Sequence, residues 1–232
     1  VRSQVEGKLL SINFQEGQDV KKGDVLAQID PITFKAALDQ AVPKKAQDEA
    51  QLANTRNDLA RYERLAATNA INQQQADTQK ALVAQNEALV QADQAAIDNA
   101  RAMLGYTSVV APLDGRTGIR QVDAGNIIHA SDTNGIVVIT QITPISVLFN
   151  LPQQNLDRVN AAFAKAALPA DALRSDSNKV IESGKLAAVN NQVDQSTGTV
   201  KLKAEFPTTG RDLWPGQFVN VRLLVYRLKQ VI

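Results

Sequence analysis

No cysteine occurs anywhere in the chain, and histidine, methionine and tryptophan occur once each. Without cysteine there are no disulfides and no thiolate metal sites, although this fixes no compartment. A single imidazole and a single thioether are too few soft ligands for a copper or silver site within one chain. Aromatic residues make up only 4% of the sequence, little for a bulky enzyme core. No apolar run approaches the roughly 20 residues needed to cross a bilayer. Neither sign of charge dominates: 25 basic and 24 acidic residues leave a net +1. The charges are interspersed with no basic stripe, which argues against nucleic acid and anionic membrane surfaces. No leader pattern is present, and Val1 opens in mid-strand rhythm, so both ends read as trimmed.

Catalytic patterns are missing as well. His129 lies between Ile128 and Ala130 and reads as a strand residue. There is no Gly-x-Ser-x-Gly and no phosphate-cradling loop, and Gly115-Arg116-Thr117-Gly118 reads as a turn. The carboxylates are scattered, so no acid and base pair can be named. The sequence nominates no catalytic, cofactor-binding or metal residue.

What is present is 44% hydrophobic residues among the 232, enough for one or two small cores, with alanine, glutamine, asparagine and aspartate abundant. Residues 1–30 read as short strands carrying Val5, Leu9, Ile12, Val20, Val25, Leu26 and Ile29, punctuated by Glu6-Gly7, Glu16-Gly17 and Gly23-Asp24. Asp30-Pro31 then forms a helix start, with Asp as N-cap and Pro at the first helical position.

Residues 32–104 contain no glycine and only Pro43. Leu38, Leu52, Leu59 and Ala66 keep a seven-residue spacing interrupted by Lys45, with Ala46, Ala53, Ala60 and Ala67 beside them. After a break at Thr68–Asn72, Leu82, Leu89, Ala96 and Met103 keep the same spacing, flanked by Val83, Val90, Ile97 and Leu104. A heptad repeat predicts helices wound about each other, and so short a break allows only an antiparallel return. Setting Leu52 against Leu89 and Leu59 against Leu82 centres the fold-back inside the break. Each arm is then about 50 Å long. Pro43 is expected to kink or loosen the first arm, Asn72-x-x-Gln75 to cap the second, and Gly105 to close it.

Residues 107–141 return to strands. Gly7 and Gly17 lie ten apart, as do Gly115 and Gly125. The two stretches therefore read as halves of one small sheet module with the hairpin inserted between them. Beyond residue 145 the pattern alternates as strands, with a helical period at Leu156–Ala167 and a hairpin turn at Asp194–Thr199. Several strands with one short helix suggest a small barrel.

These motifs, in this order, resemble a known family. Val5-x-Gly7, Glu16-Gly17-Gln18, Gly23-Asp24 and Ile29-Asp30-Pro31 are similar to the first half-motif of the membrane fusion proteins, the periplasmic adaptors of resistance-nodulation-division multidrug efflux pumps. Tyr106-Thr107 with Ala111-Pro112-Leu113-Asp114-Gly115-Arg116 resembles the second half-motif. Asp194-x-x-Thr197-Gly198-Thr199 and Leu213-Trp214-Pro215-Gly216-Gln217-Phe218-Val219 resemble the barrel signatures, and Ser131–Gln141 is similar to one branch of that family in particular.

The resemblance implies an α+β, elongated, multi-domain chain. A lipoyl-like (barrel-sandwich hybrid) β module would comprise residues 1–30 and 107–141. An antiparallel coiled-coil α-hairpin at 31–106, its tip near 67–72, would be inserted in it. A small β-barrel with one short helix would follow at 142–232, the membrane-proximal domain being missing or barely begun. The implied role is non-enzymatic and needs no cofactor. It is an adaptor in the periplasm, associated with the inner membrane of a Gram-negative bacterium, that bridges a proton-driven inner-membrane transporter and an outer-membrane channel. Self-association into a ring, trimeric or hexameric, is implied too. The family's hairpin-tip motif of Arg, then Leu, then Ser maps onto Arg61, Leu65 and Asn72, the last a departure. An adaptor for an ATP-driven exporter is the nearer alternative. A lipoyl or biotinyl carrier is the remote one, because the turn that would carry a modifiable lysine is replaced by the hairpin.

Overall fold

The computed structural model describes residues 1–68, 70–175, 179–208 and 212–225. In chain order the elements are β1 (Gly7–Ile12), β2 (Asp19–Val20), β3 (Val25–Ile29), α1 (Ile32–Ala67), α2 (Gln73–Gly105), β4 (Ser108–Val110), β5 (Gly115–Arg120), β6 (Ile127–Ile128) and β7 (Val137–Thr140). They continue as β8 (Ile145–Pro152), a 3-10 turn (Gln153–Asn155), α3 (Leu156–Phe163), β9 (Pro169–Leu173), β10 (Val180–Asp194), β11 (Thr199–Phe206) and β12 (Asn220–Leu223). They divide between two compact units. The first comprises Val1–Glu16, Lys22–Pro112 and Ile119–Val138; the second comprises Gly17–Lys21, Leu113–Gly118 and the described residues from Ile139 onward.

In the first unit, strands from before and after the helices interleave in the order β4-β3-β1-β6. β1 runs antiparallel to β3 with Leu9 opposite Ile29, β3 antiparallel to β4 with Ala27 opposite Val109, and β1 antiparallel to β6 with Gly7 opposite Ile128. Period-two alternation turns the apolar side chains inward. Leu9, Ala27 and Ile29 are fully buried and meet Val5, Val109, Ile128 and Ile136, with Phe34 from the first turn of α1 packed against them. Each such aliphatic side chain contributes roughly 1.5–3 kcal/mol by leaving water. The sheet therefore holds the base of the hairpin by contacts from both sides of it in sequence.

The ten-residue glycine spacing has a physical meaning in both halves. A Cβ on Gly7 would lie 2.7 Å from the Ile29 Cγ2, and one on Gly115 would lie 2.6 Å from the Thr140 carbonyl oxygen. Gly17 and Gly125 have φ of 76° and 97°, the left-handed region that glycine adopts without cost. The first glycine of each pair permits close approach and the second a turn.

The helix ends differ in part from expectation. Asp30 Oδ1 accepts from the Ile32 amide at 3.0 Å, the bond expected of a cap, but α1 begins at Ile32 and Pro31, not Asp30, holds the N-cap position. Pro43 sits inside an unbroken α1, where its missing N–H leaves the Asp39 carbonyl without its helical donor. Gly105 does not close α2 as a left-handed cap. It is the last helical residue, and Tyr106 follows with φ −70°, its N–H bonded to the Ala102 carbonyl. The Thr107 hydroxyl then takes the Leu104 carbonyl at 2.7 Å, which supplies by side chain what a glycine turn would have supplied by backbone. His129 falls just past β6, its Nδ1 3.1 Å from the Glu6 carboxylate.

The second unit is built on a five-stranded antiparallel sheet in the order β12-β9-β10-β11-β8. β8 and β11 pair without a break from Ile145 opposite Phe206 to Pro152 opposite Thr199. Along β11, Val200, Leu202, Ala204 and Phe206 are buried, alternating with Lys201, Lys203 and Glu205. Helix α3 contributes Val159 and Ala162 to a cluster with Leu168, Leu186, Val200 and Leu202. The β10–β11 turn is held by Asp194, whose Oδ1 accepts from the Ser196 amide and hydroxyl at 2.9 and 2.6 Å. Gly198 takes φ 62°. Those bonds from Ser196 hold the Asp194 carboxyl below its ordinary range.

Candidate partner-binding site on the helical hairpin

The hairpin's register is set by polar side chains. Asn86 Nδ2 donates to the Thr55 hydroxyl at 3.2 Å, Gln79 Nε2 donates to the Thr55 carbonyl at 3.2 Å, and Lys45 Nζ donates to Gln94 Oε1 at 2.8 Å. Arg56 and Glu87 form an ion pair at 2.7 Å on one flank. With Thr55 facing Asn86, Leu52 stands at the height of Leu89 and Leu59 at the height of Leu82. This is the axial pairing expected from the heptads.

The face is different. On α2 the seam is formed by Ala76, Val83, Asn86 and Ile97, all buried, whereas Leu82, Leu89 and Met103 are 38%, 45% and 40% exposed. On α1 the seam takes Leu38, Lys45, Leu52 and Leu59 together with Phe34, Asp48 and Thr55, and Ala46, Ala53, Ala60 and Ala67 are exposed. Both helices carry two apolar stripes one residue apart. Spacing alone cannot say which turns inward, because the stripes share the same period. The antiparallel geometry decides it: the Arg56–Glu87 flank lies on the alanine side of α1, which leaves the Leu82–Leu89 stripe of α2 on the opposite flank.

At the fold-back, Asn72 caps α2 in extended conformation, its Oδ1 accepting from the Gln74 amide at 3.1 Å. The cap forms at the second helical amide instead of the third. Thr68 closes α1 by giving its hydroxyl to the Leu65 carbonyl at 3.0 Å. Leu65 is 38% exposed in the last turn of α1. Arg61, one turn earlier, is 72% exposed and 3.4 Å from Asp58, a surface pair of small energetic weight. Arg61 and Leu65 therefore share one flank of α1, the flank of the Leu82–Leu89 stripe, while Asn72 organises the turn.

Sequence reasoning passed over other features. In the second unit the Arg116 guanidinium lies 5.6 Å from the Trp214 ring centroid, and Phe218 is 92% exposed. Both belong to quoted motifs, yet a stacked cation has no periodic signal. Among the described residues, no group of three His, Cys, Asp or Glu is placed to hold a metal ion, and no helix is long and apolar enough to cross a membrane.

Residues 1–140 match the family model described as "RND MFP, barrel-sandwich hybrid domain", and residues 144–227 match "RND MFPs, beta-barrel domain". The multidrug resistance protein MdtA of Klebsiella pneumoniae is 50% identical over 97% of this chain and 55% of its own length. MdtA of Escherichia coli K12 is 47% identical over 97% of this chain and 54% of its own. The chain thus spans about half the length of these relatives. Among solved structures, a MacA–MexA chimera containing the Pseudomonas aeruginosa MexA α-hairpin domain aligns with TM-score 0.60 and 25% identity, covering 95% of this chain and 71% of that one. A membrane fusion protein of Streptococcus pneumoniae shares the fold with TM-score 0.67 and 18% identity, over 96% and 90% of the two chains. With its barrel-sandwich hybrid, inserted α-hairpin and β-barrel, the chain belongs to the membrane fusion protein family of RND efflux systems.

Proposed function

We propose that the protein is a periplasmic adaptor that bridges an inner-membrane, proton-driven drug transporter and an outer-membrane channel, and that it seals the conduit between them without covalent chemistry. The observation that carries this reading is the two-helix arm, about 50 Å long, which ends in an exposed Arg61 and Leu65 beside a capped turn. An arm with a seam so thin and so polar buries little apolar surface of its own, which favours partners along it and at its end. In this reading residues 1–30 and 107–141 form the lipoyl-like module, 31–106 the hairpin and 142–232 the barrel that meets the transporter. Arg61 and Leu65 dock on the channel. The exposed Leu82–Leu89 stripe and the exposed alanine stripe serve self-association into a ring, trimeric or hexameric.

The experiment is drug susceptibility in an adaptor-deleted Gram-negative strain complemented with the full-length protein. Arg61→Asp combined with Leu65→Ser is expected to abolish resistance at unchanged expression and helix content, because a base is inverted and an apolar anchor removed. Full resistance in that variant would overturn the tip assignment.

A further inference from the structure

The register that sets Thr55 against Asn86 also sets Asp48 against Asp93, two turns nearer the base. Asp48 lies in the seam with its side chain 15% exposed, and the Lys44 ammonium reaches it at 2.5 Å. Asp93 Oδ2 is fully buried and meets no hydrogen-bond partner among the described residues, and the group the register sets against it is the Asp48 carboxyl, whose proximity, after burial, raises its pKa. Two carboxylates are both acceptors, so they can bond only if one of them holds a proton. The neighbouring charges are otherwise engaged. From α1, Lys45 is held by Glu49 at 3.1 Å and by Gln94 at 2.8 Å. From α2, Asp98 receives the Gln94 amide at 3.0 Å and stands 3.5 Å from Arg101. Lys44 alone compensates the pair, and one cation balances one carboxylate, not two.

We propose that Asp48 and Asp93 hold one proton between them and act as a pH-sensitive clasp on the basal half of the hairpin. While the proton is present, the two side chains bond across the seam. When it leaves, two negative charges face each other in a partly desolvated layer, with one ammonium, on Asp48, to balance them, and the arms separate locally. The position matters because Pro43 lies one turn away and already removes a helical hydrogen bond there. The clasp thus closes next to a stretch of α1 that already lacks one helical bond.

The direction of titration agrees. Desolvation in the seam, followed by the neighbouring Asp48 carboxyl, raises Asp93 above its ordinary value, while the Lys44 ammonium lowers Asp48. A group whose folded value is raised stabilises the fold below its unfolded value and loses that contribution as pH rises through the folded value. Asp48, being lowered, loses its contribution only as pH falls through its own folded value. The clasp is therefore closed between those two points and opens on the alkaline side. The pair titrates as a unit, so the two steps belong to both residues together.

The test is performed on the whole 232-residue chain. Carbon-13 NMR of the aspartate carboxyls is expected to show Asp93 titrating above the ordinary value of about 3.9. Amide-exchange protection in residues 45–56 and 87–97, corrected for intrinsic rates, is expected to fall by up to about tenfold per pH unit above that midpoint, the limit for one linked proton. Asp93→Asn supplies a permanent donor and should leave protection independent of pH over the same range. An Asp93 midpoint at or below the ordinary value, or the same pH dependence in wild type and Asp93→Asn, would overturn the proposal. The NMR titration needs no variant, so a poorly folding Asp93→Asn leaves the test intact.

Discussion

Asn86 Nδ2 bonds the Thr55 hydroxyl at 3.2 Å in the middle of the hairpin, while that hydroxyl donates to the Leu52 carbonyl at 2.9 Å. One polar layer in an otherwise thin seam costs stability and fixes register, because a shift of one heptad would set Asn86 against Asp48 or Tyr62 in place of Thr55. Thr55→Val with Asn86→Leu is therefore expected to raise the thermal midpoint of the helical signal while admitting a second register. Cysteines at Arg56 and Glu87, whose native side chains meet at 2.7 Å, would read this out. They should cross-link within the chain nearly completely in the native seam and less completely in the apolar one.

The cap at Asn72 yields a smaller and local effect. Its Oδ1 satisfies the Gln74 amide, so Asn72→Ala should cost about 1 kcal/mol of helix stability and Asn72→Ser almost nothing. Amide exchange at residues 73–76 measures it. Equal exchange in all three proteins would show that the turn is held by other contacts.

How much of this was legible follows from what each residue signals. Asp30, Asn72 and the Asp194–Thr199 turn act through their neighbours in sequence, and local chemistry exposed them. The axial register could also be found, since a heptad pairs heights whichever stripe is buried. Which stripe is buried could not, because Leu82 and Val83 differ by one residue and are equally apolar. The deciding facts are long-range and polar: Thr55 with Asn86 and Arg56 with Glu87. The Gly105 cap failed for a related reason. Thr107 has the same task by side chain, and nothing in the residue order says which solution is used. At the candidate site Arg61 and Leu65 were nominated through a family likeness, and the structure adds that both are exposed, whereas the acid pair was hidden in a polar-looking stretch.

In the second unit, Arg222 and Asp171 stand opposite each other on β12 and β9 with 2.9 Å between charges, and Ser183 donates to the same carboxyl at 2.7 Å. The Arg222 bond first, then Ser183, lowers Asp171 below its ordinary value. A lowered carboxylate stabilises above its unfolded value and loses that contribution as pH falls through its folded value. Asp171→Asn should cost up to about 1 kcal/mol at neutral pH, the ceiling for a solvent-screened pair. The difference from wild type should vanish in acid below the lowered value. Chemical denaturation at several pH values checks this, and a constant difference would sink it.

The exposed stripes lead to the last prediction. From Gln75 to Met103 the flank of α2 that bears Leu82 and Leu89 carries no charged residue, although the helix has charges on its other sides. The exposed alanines of α1 lie on the other flank, and the register puts Ala53 within one residue of the height of Leu89 and Ala60 within one of Leu82. Large side chains on one flank and small ones on the other, at equal heights and equal spacing, suit a head-to-tail contact between copies related by rotation without translation, which closes a ring. Because the chain contains no cysteine, Leu89→Cys with Ala53→Cys reports on this contact alone. Oxidation is expected to give a ladder of covalent oligomers ending at the ring size. Ala53→Cys with Gln91→Cys, both on the alanine flank, should give little. Strong cross-linking of the second pair instead would assign self-association to another face. No oligomer in either variant, together with a monomeric mass in solution, would remove the ring itself from the proposed function.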